Sequence, residues 1–539
     1  MVLILTLFAG LLGAQTADMA IRNANIHTVN PQQPKASQLA IQDGKILAVG
    51  DNAARFIGPA TRLLDAQGAT IIPGFIDCHV HMRGLGESLE FLDLRSARSA
   101  DEVAALVRNR AKALKPGEWI RGRAWDQTRF PGGQFPNADI LTKAAPEHPV
   151  YLTRVDGHAA WVNRKALELA RVDGKTADPP GGRIHRDASG QPTGILIDRA
   201  QSLVGSVIPA PTDEQTRNRI ARAAQECARL GITTVHDAGV GQGDLDAFRR
   251  LIEQKKLPVR VYAMIGGAGA LWREYLTRGP ETGDRLTVRS VKLMSDGALG
   301  SRGAALKQPY ADDARNSGLL MLNREEIERI AREAIAAGFQ VNTHAIGDRA
   351  NREVLEAYGA VLAGKNDRRF RVEHAQVVSL EDAPLFAKYS VVASMQATHA
   401  TSDMRWAEAR LGPERVKDSY AWRRFLSLGV RVANGSDFPV EEPNPLWGFY
   451  AAVTRQDHKG APAGGWFADQ RMTREEALRS WTSEPAFAAF EEKQKGMLAP
   501  GMMADFVLLS NDIMRVLPAE ILKTRVKMTV LGGEIVFSE

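Results

Sequence analysis

The chain has 539 residues, 44% hydrophobic and 24% charged, a balance that excludes a disordered or fibrous protein and allows a sizeable core. Its net charge of +6 comes from 69 basic and 63 acidic residues scattered without a Lys/Arg-rich block, which argues against a nucleic-acid partner. Two cysteines, Cys78 and Cys227, exclude a disulfide framework.

The first fourteen residues are an apolar run ending in small residues before Asp18. The run is too short to span a bilayer comfortably. It is expected to be a secretory leader over residues 1–17, although the usual basic start is missing. Export to the periplasm or beyond follows if it is one, and a cytoplasmic protein if it is not. No other segment resembles a membrane span. Short β-type segments then follow at Met19–Arg22, Ile26–Val29, Leu39–Gln42 and Ile46–Val49, with Asp43-Gly44 as a hairpin turn. The C-terminal end reads the same way at Asp505–Leu509, Val526–Leu531 and Glu534–Phe537. Residues 18–68 and 495–539 are therefore expected to form one small β-sandwich domain.

Between them, residues 69–494 alternate strands with helical stretches, the pattern of a parallel α/β fold. Strands are expected at Ala69–Asp77, Ile232–Asp237, Val259–Ile265, Val291–Ser295, Gln340–His344, Arg371–His374, Val391–Gln396 and Val430–Ser436. Those eight suit a (β/α)8 TIM-like barrel. A ninth, Val150–Arg154, is set aside because it lies in a Gly/Pro-rich stretch, about 84–209, without regular βα spacing. That stretch reads as an insertion after strand one. Its aromatics Trp119, Trp125, Phe130 and Phe135 suit a pocket wall or ordinary core packing equally.

Polar residues fall at the C-terminal ends of these strands. Strand one ends in His79 and His81, two residues apart and hence on one face of a regular strand. Such a pair is a two-ligand grip on a metal, or two ordinary loop histidines. Cys78, between Asp77 and His79, is expected to point away from both histidines as a small core residue. Strand two ends in His236-Asp237. Strand four carries Lys292 and ends in Asp296; strands five, six and eight end in His344, His374 and Asp437. Barrel active sites form on the face where these ends converge. Gly359 to Lys365 nearly matches a phosphate-binding loop but follows a helical pattern, so Gly364 is better read as a helix stop.

The segments PGFIDCHVH (73–81), TTVHDAG (233–239), VKLMSDGALGSRGA (291–304), THAIGD (343–348), VEHAQ (372–376) and GSDFPV (435–440) together resemble the amidohydrolase superfamily. The likeness is to amidohydrolase family 3, in the branch of N-substituted formamide deformylase-like proteins, and covers essentially the whole chain after the leader. It implies His79 and His81 as ligands of one divalent metal and His344 and His374 as ligands of a second, zinc by default. Lys292 stands where many relatives carry a carbamylated lysine bridging two metals. Asp437 would ligate metal and serve as general base, then acid. His158, His236, Asp296, Arg302 and His399 are the substrate-binding candidates, with Gln396-Ala397 departing from the family's usual Gln-Pro before His399. The implied reaction is hydrolysis of a non-peptide, amide-like C–N bond in a small molecule. A lactonase, deaminase or dipeptidase of the same fold is the alternative, and a non-catalytic binding protein a weaker one. A homodimer is compatible with the sequence but not readable from it.

Overall fold

The computed structural model describes residues 16–154, 159–179 and 182–539. The leader reading falls on residues 1–15, outside the described residues. The chain forms two compact units: one joins the N-terminal part up to Gly84 with Ile220–Glu539, and the other is Leu85–Arg219.

The first unit is built on an eight-stranded sheet. In sheet order its strands are Phe75–Val80, Ile232–Val240, Arg260–Gly266, Leu286–Met294, Gln340–Ala345, Arg371–His374, Val392–Met395 and Val432–Asn434. All neighbouring pairs are parallel, and helices lie between them in sequence, so the chain has a TIM-like barrel. The helix Arg324–Ala337 shows how sequence dictates these connections. Asn323 and Glu326 cap each other's backbone N–H groups at its start, and Gly338 (φ 79°) ends it in the left-handed conformation. Ile327, Ile330, Ala331 and Ala334 recur at helical spacing and are buried.

Strand one closes against strand eight. The Asp437 N–H donates to the His79 carbonyl at 2.8 Å, and the His81 N–H to the Phe438 carbonyl at 3.0 Å. Buried Asp77 accepts from both the N–H and the hydroxyl of Ser436, at 2.9 and 2.6 Å. Gly435 sits at this seam, where an added Cβ would lie 2.6 Å from the His79 nitrogen and 2.8 Å from Asp77 Oδ1. Gly435→Ala is expected to cost about 2 kcal/mol through overpacking, read as a lower urea midpoint with an unchanged slope.

The expected strand Ala69–Asp77 is two strands divided at Gly74. Thr70–Pro73 pairs with Asn25–His27 and Phe506–Leu509, while Phe75–Val80 enters the barrel. A side chain at Gly74 would collide with Thr233, 2.2 Å from its hydroxyl, so a close backbone approach fixes the break. Thr70–Pro73 belongs to a six-stranded sheet made from both chain ends, and Met19–Arg22 lies in a separate four-stranded sheet. One apolar cluster, including Ile21, Ile41, Ile71, Phe506 and Val530, draws on both sheets. Asp43 and Gly44 both have positive φ, 49° and 74°, as a two-residue hairpin turn requires.

The unit Leu85–Arg219 is more regular than its sequence suggests. It holds a six-stranded mixed sheet that includes Ile120–Trp125, Val150–Arg154 and Ala159–Val162. Trp125 is fully buried, donates its indole N–H to the Leu152 carbonyl and meets Trp161 edge-on at 5.9 Å. Phe130 joins the same cluster, half-buried Phe135 packs against it, and half-buried Trp119 packs on a second, so these aromatics serve this unit's own packing. Among the described residues, no helix is long and apolar enough to cross a membrane.

Candidate metal centre and its cavity

Six side chains singled out from the sequence, His79, His81, Lys292, His344, His374 and Asp437, line one cavity of about 750 Å³ in the first unit. Each comes from the end of a barrel strand or the turn just after it, which is why residues more than three hundred positions apart meet. The backbone there is unusual. His374 (φ 75°) and Asp437 (φ 58°) both adopt the left-handed conformation, uncommon for residues with a Cβ and concentrated at functional sites.

At the centre, His79, His374 and Asp437 each offer a ligand atom, and the three atoms lie within 4.8 Å of one another. His79 Nδ1 lies 2.6 Å from Glu373 Oε2. The carboxylate accepts, so Nδ1 carries the proton and Nε2 keeps its lone pair. Lys292 Nζ lies 3.1 Å from that Nε2. His374 Nδ1 likewise meets Gln396 Oε1 at 2.7 Å, leaving its Nε2 free. Burial, then the Lys292 charge, pushes His79 down to about 4. Burial, then His344 and His79, pushes His374 well below the usual range. Both rings are therefore neutral near pH 7, the form that ligates a metal. Burial works against the Asp437 carboxylate, but the close approach of His81 and of the other nearby imidazoles holds it well below the ordinary range.

The remaining candidate ligands surround this trio. His81 Nε2 is 3.2 Å from Asp437 Oδ1. His344 and His374 have ring centroids 4.5 Å apart, and the buried His344 Nε2 lacks a hydrogen-bond partner among the described residues. Burial lowers the Lys292 ammonium's pKa, opposed by Glu373 and Asp437. Two neutral imidazoles held by their far nitrogens, an anionic carboxylate and an orphaned ring nitrogen form a donor set that fits a divalent metal of the zinc type.

The substrate-binding candidates divide. His399 lines the cavity, with Nε2 3.8 Å from Asp437 Oδ2. His236 is fully buried below it, receiving a hydrogen bond from Arg371 on Nδ1 at 3.0 Å and packing on Tyr262. Asp296 is fully buried and accepts the backbone N–H groups of Ala305, Ile346 and Gly347, which makes it an anchor for two loops. Arg302 is paired with Asp312 at 2.9 Å and is absent from the cavity wall. His158 lies outside the described residues.

Three features went unread in the sequence. Glu373 is fully buried and holds His79, with Ser394 donating to the same oxygen. Cys78 is a buried core residue as expected, packed with Val392, Ala433 and Ala488, and its sulfur lies 3.3 Å from Ser394 Oγ. Strand one carries one extra residue between Asp77 and Val80 relative to Val235–Asp237, and that bulge breaks the alternation. Gln376, Asp403, Trp406 and Glu441 also line the cavity; only Gln376 falls within a recognised segment.

Comparison with known proteins bears on the family and the fold. The amidohydrolase family profile matches residues 62–537. Protein LONG AFTER FAR-RED 3 of Arabidopsis thaliana is 36% identical over 513 residues, 92% of this chain and 88% of that one. N-substituted formamide deformylase of Arthrobacter pascens is 27% identical, covering 96% of this chain and 98% of its own. The solved structure of an uncharacterized metal-dependent hydrolase from Pyrococcus furiosus superposes with a TM-score of 0.77 at 29% identity, over 92% of this chain and all of that one.

Proposed function

Since the chain belongs to the amidohydrolase family, we propose that it hydrolyses a non-peptide, amide-like C–N bond of a small molecule, using a divalent metal, by default zinc. The observation that carries this reading is the compact trio His79, His374 and Asp437 on the floor of a cavity large enough for a small organic substrate. His79, His81, His344, His374 and Asp437 would hold one or two ions, with Lys292, as a carbamate, bridging them. A metal bound there supplies Lewis acidity and lowers the pKa of water.

The protein's own residues do the rest. Asp437 takes the proton of the attacking water at its free oxygen and returns it to the departing nitrogen, acting first as base and then as acid. Its position fits that role, with His81 and His399 flanking its two oxygens. His399 is placed to donate to the acyl oxygen of the substrate. The apolar wall, with Leu293, Leu299 and Ile346, excludes bulk water and strengthens each polar contact inside. The domain limits read from the sequence, with the β-sandwich, barrel and insertion as separate parts, belong to the same proposal.

The test is metal removal. Chelation followed by dialysis is expected to abolish hydrolysis of an amide panel, and added zinc to restore it, with metal content followed by mass spectrometry. Full activity in protein stripped of metal would overturn the reading. A lactone or ester turned over faster than every amide would move the assignment to another reaction of the family.

A further inference from the structure

The cavity wall is asymmetric in charge. Among the described residues that line it, Lys292 is the sole lysine or arginine, and it is engaged with His79 on the floor. Asp403 and Glu441 line the wall, beside Trp406. Their hydrogen bonds come from neutral groups. Asp403 Oδ2 accepts from the hydroxyl of Tyr420 at 2.6 Å and the amide of Gln376 at 3.3 Å. Glu441 Oε1 accepts from the hydroxyl of Ser402 at 2.5 Å, a group also 3.5 Å from Asp403 Oδ1. Among the described residues, neither carboxylate is ion-paired with a lysine or arginine. The nearby Arg302 and Arg410 are both held by Asp312.

Two carboxylates in a largely apolar cavity, with His399 and, for Asp403, Arg405 acting on them only at a distance, are costly to keep charged. A cation delivered by the ligand offsets that cost, and the Trp406 indole, already approached by the Arg410 guanidinium at 5.9 Å, offers its other face for a cation–π contact. A second observation marks the same wall as a ligand site: the His399 side chain is only 11% exposed, and its Nε2, 3.8 Å from Asp437 Oδ2, has no hydrogen-bond partner among the described residues. A substrate's acyl oxygen between His399 and the metal centre would leave the rest of the molecule to meet Asp403, Glu441 and Trp406. The same wall repels a carboxylate.

We propose that the substrate is an amide bearing a protonated amine, which Asp403, Glu441 and Trp406 receive. This rests on the amide-hydrolase reading above and names its substrate class. The probes are N-benzylformamides carrying para-aminomethyl, para-methyl or para-carboxyl groups, assayed on metal-loaded enzyme at pH 7.5. The aminomethyl compound is expected to exceed the methyl compound in kcat/KM by at least tenfold, and the carboxyl compound to be the poorest. Glu441→Gln and the double variant with Asp403→Asn are expected to cut the aminomethyl-to-methyl ratio at least tenfold. That ratio is internal to each protein, so a variant with a smaller active fraction still reads correctly. Equal values for the three compounds, a preference for the carboxylate, or an unchanged ratio in the variants would overturn the proposal. Calorimetric Kd values for uncleavable 4-phenylbutan-2-ones with the same para groups separate the two readings. If the ketones rank as expected and no amide is cleaved, the amide-hydrolase reading fails and the cation site stands. If amides are cleaved without the ranking, the cation site alone fails.

Discussion

Asp437→Asn is expected to lower kcat by about a thousandfold while the barrel remains folded. Positioned proton transfer contributes about 10²- to 10⁴-fold in comparable sites, and asparagine keeps the shape of aspartate while losing its basicity. The backbone of residue 437 helps close the barrel, since its N–H donates to the His79 carbonyl, and that bond does not depend on the side chain. The side chain faces His81 at 3.2 Å, His79 at 3.7 Å and His399 at 3.8 Å, so the substitution also removes the only anion among the three central ligand groups. The measurement is kcat at matched metal content, beside a urea unfolding curve. Loss confined to KM would mean that Asp437 binds substrate without moving the proton. Activity within a few-fold of the wild type would remove it from the mechanism.

The barrel and its polar rim are legible in the sequence because buried parallel strands otherwise reject histidine, lysine and aspartate. Each such residue at a strand end therefore stood out, and all six candidate ligands line one cavity. Other features were hidden for definite reasons. The Pro73-Gly74 pair does mark a break inside an apolar run, but a local break does not say that Thr70–Pro73 and Phe75–Val80 serve different sheets. The insertion's sheet joins strands scattered between loops, and Leu92–Asp93 is only two residues long, too short for a periodic signal. Asp296 and Arg302 lie in a recognised segment, yet one anchors loop N–H groups and the other pairs with Asp312. A motif identifies which residues stay together, not which of them face the ligand. Asp403, Trp406 and Glu441 could not be found this way, since Asp403 ends the helix Ala397–Asp403 and the other two lie on connecting loops, where wall residues follow no periodicity.

Glu373 shows the same limit from inside a motif, and its replacement carries the other large effect. In a regular strand Glu373 and His374 would point to opposite faces, which makes the glutamate look like an outward residue. The positive φ of His374 breaks the alternation, so neighbours in sequence both serve the centre. A buried carboxylate that accepts the far N–H of a ligating histidine fixes the ring's tautomer and raises its basicity, and loss of such a partner costs about 10- to 100-fold in metal affinity. Glu373→Gln keeps the size and a hydrogen-bond acceptor but removes the charge. Metal affinity, measured by competition with a chromogenic chelator, is expected to fall within that range. The kcat of enzyme saturated with metal is expected to fall by a smaller factor, because Glu373 acts through His79 and never meets the substrate. Glu373→Asp, which retains the charge on a shorter arm, is expected to recover part of the affinity. An unchanged affinity in Glu373→Gln, or equal losses in both variants, would show that the 2.6 Å contact with His79 is packing and does not tune the centre.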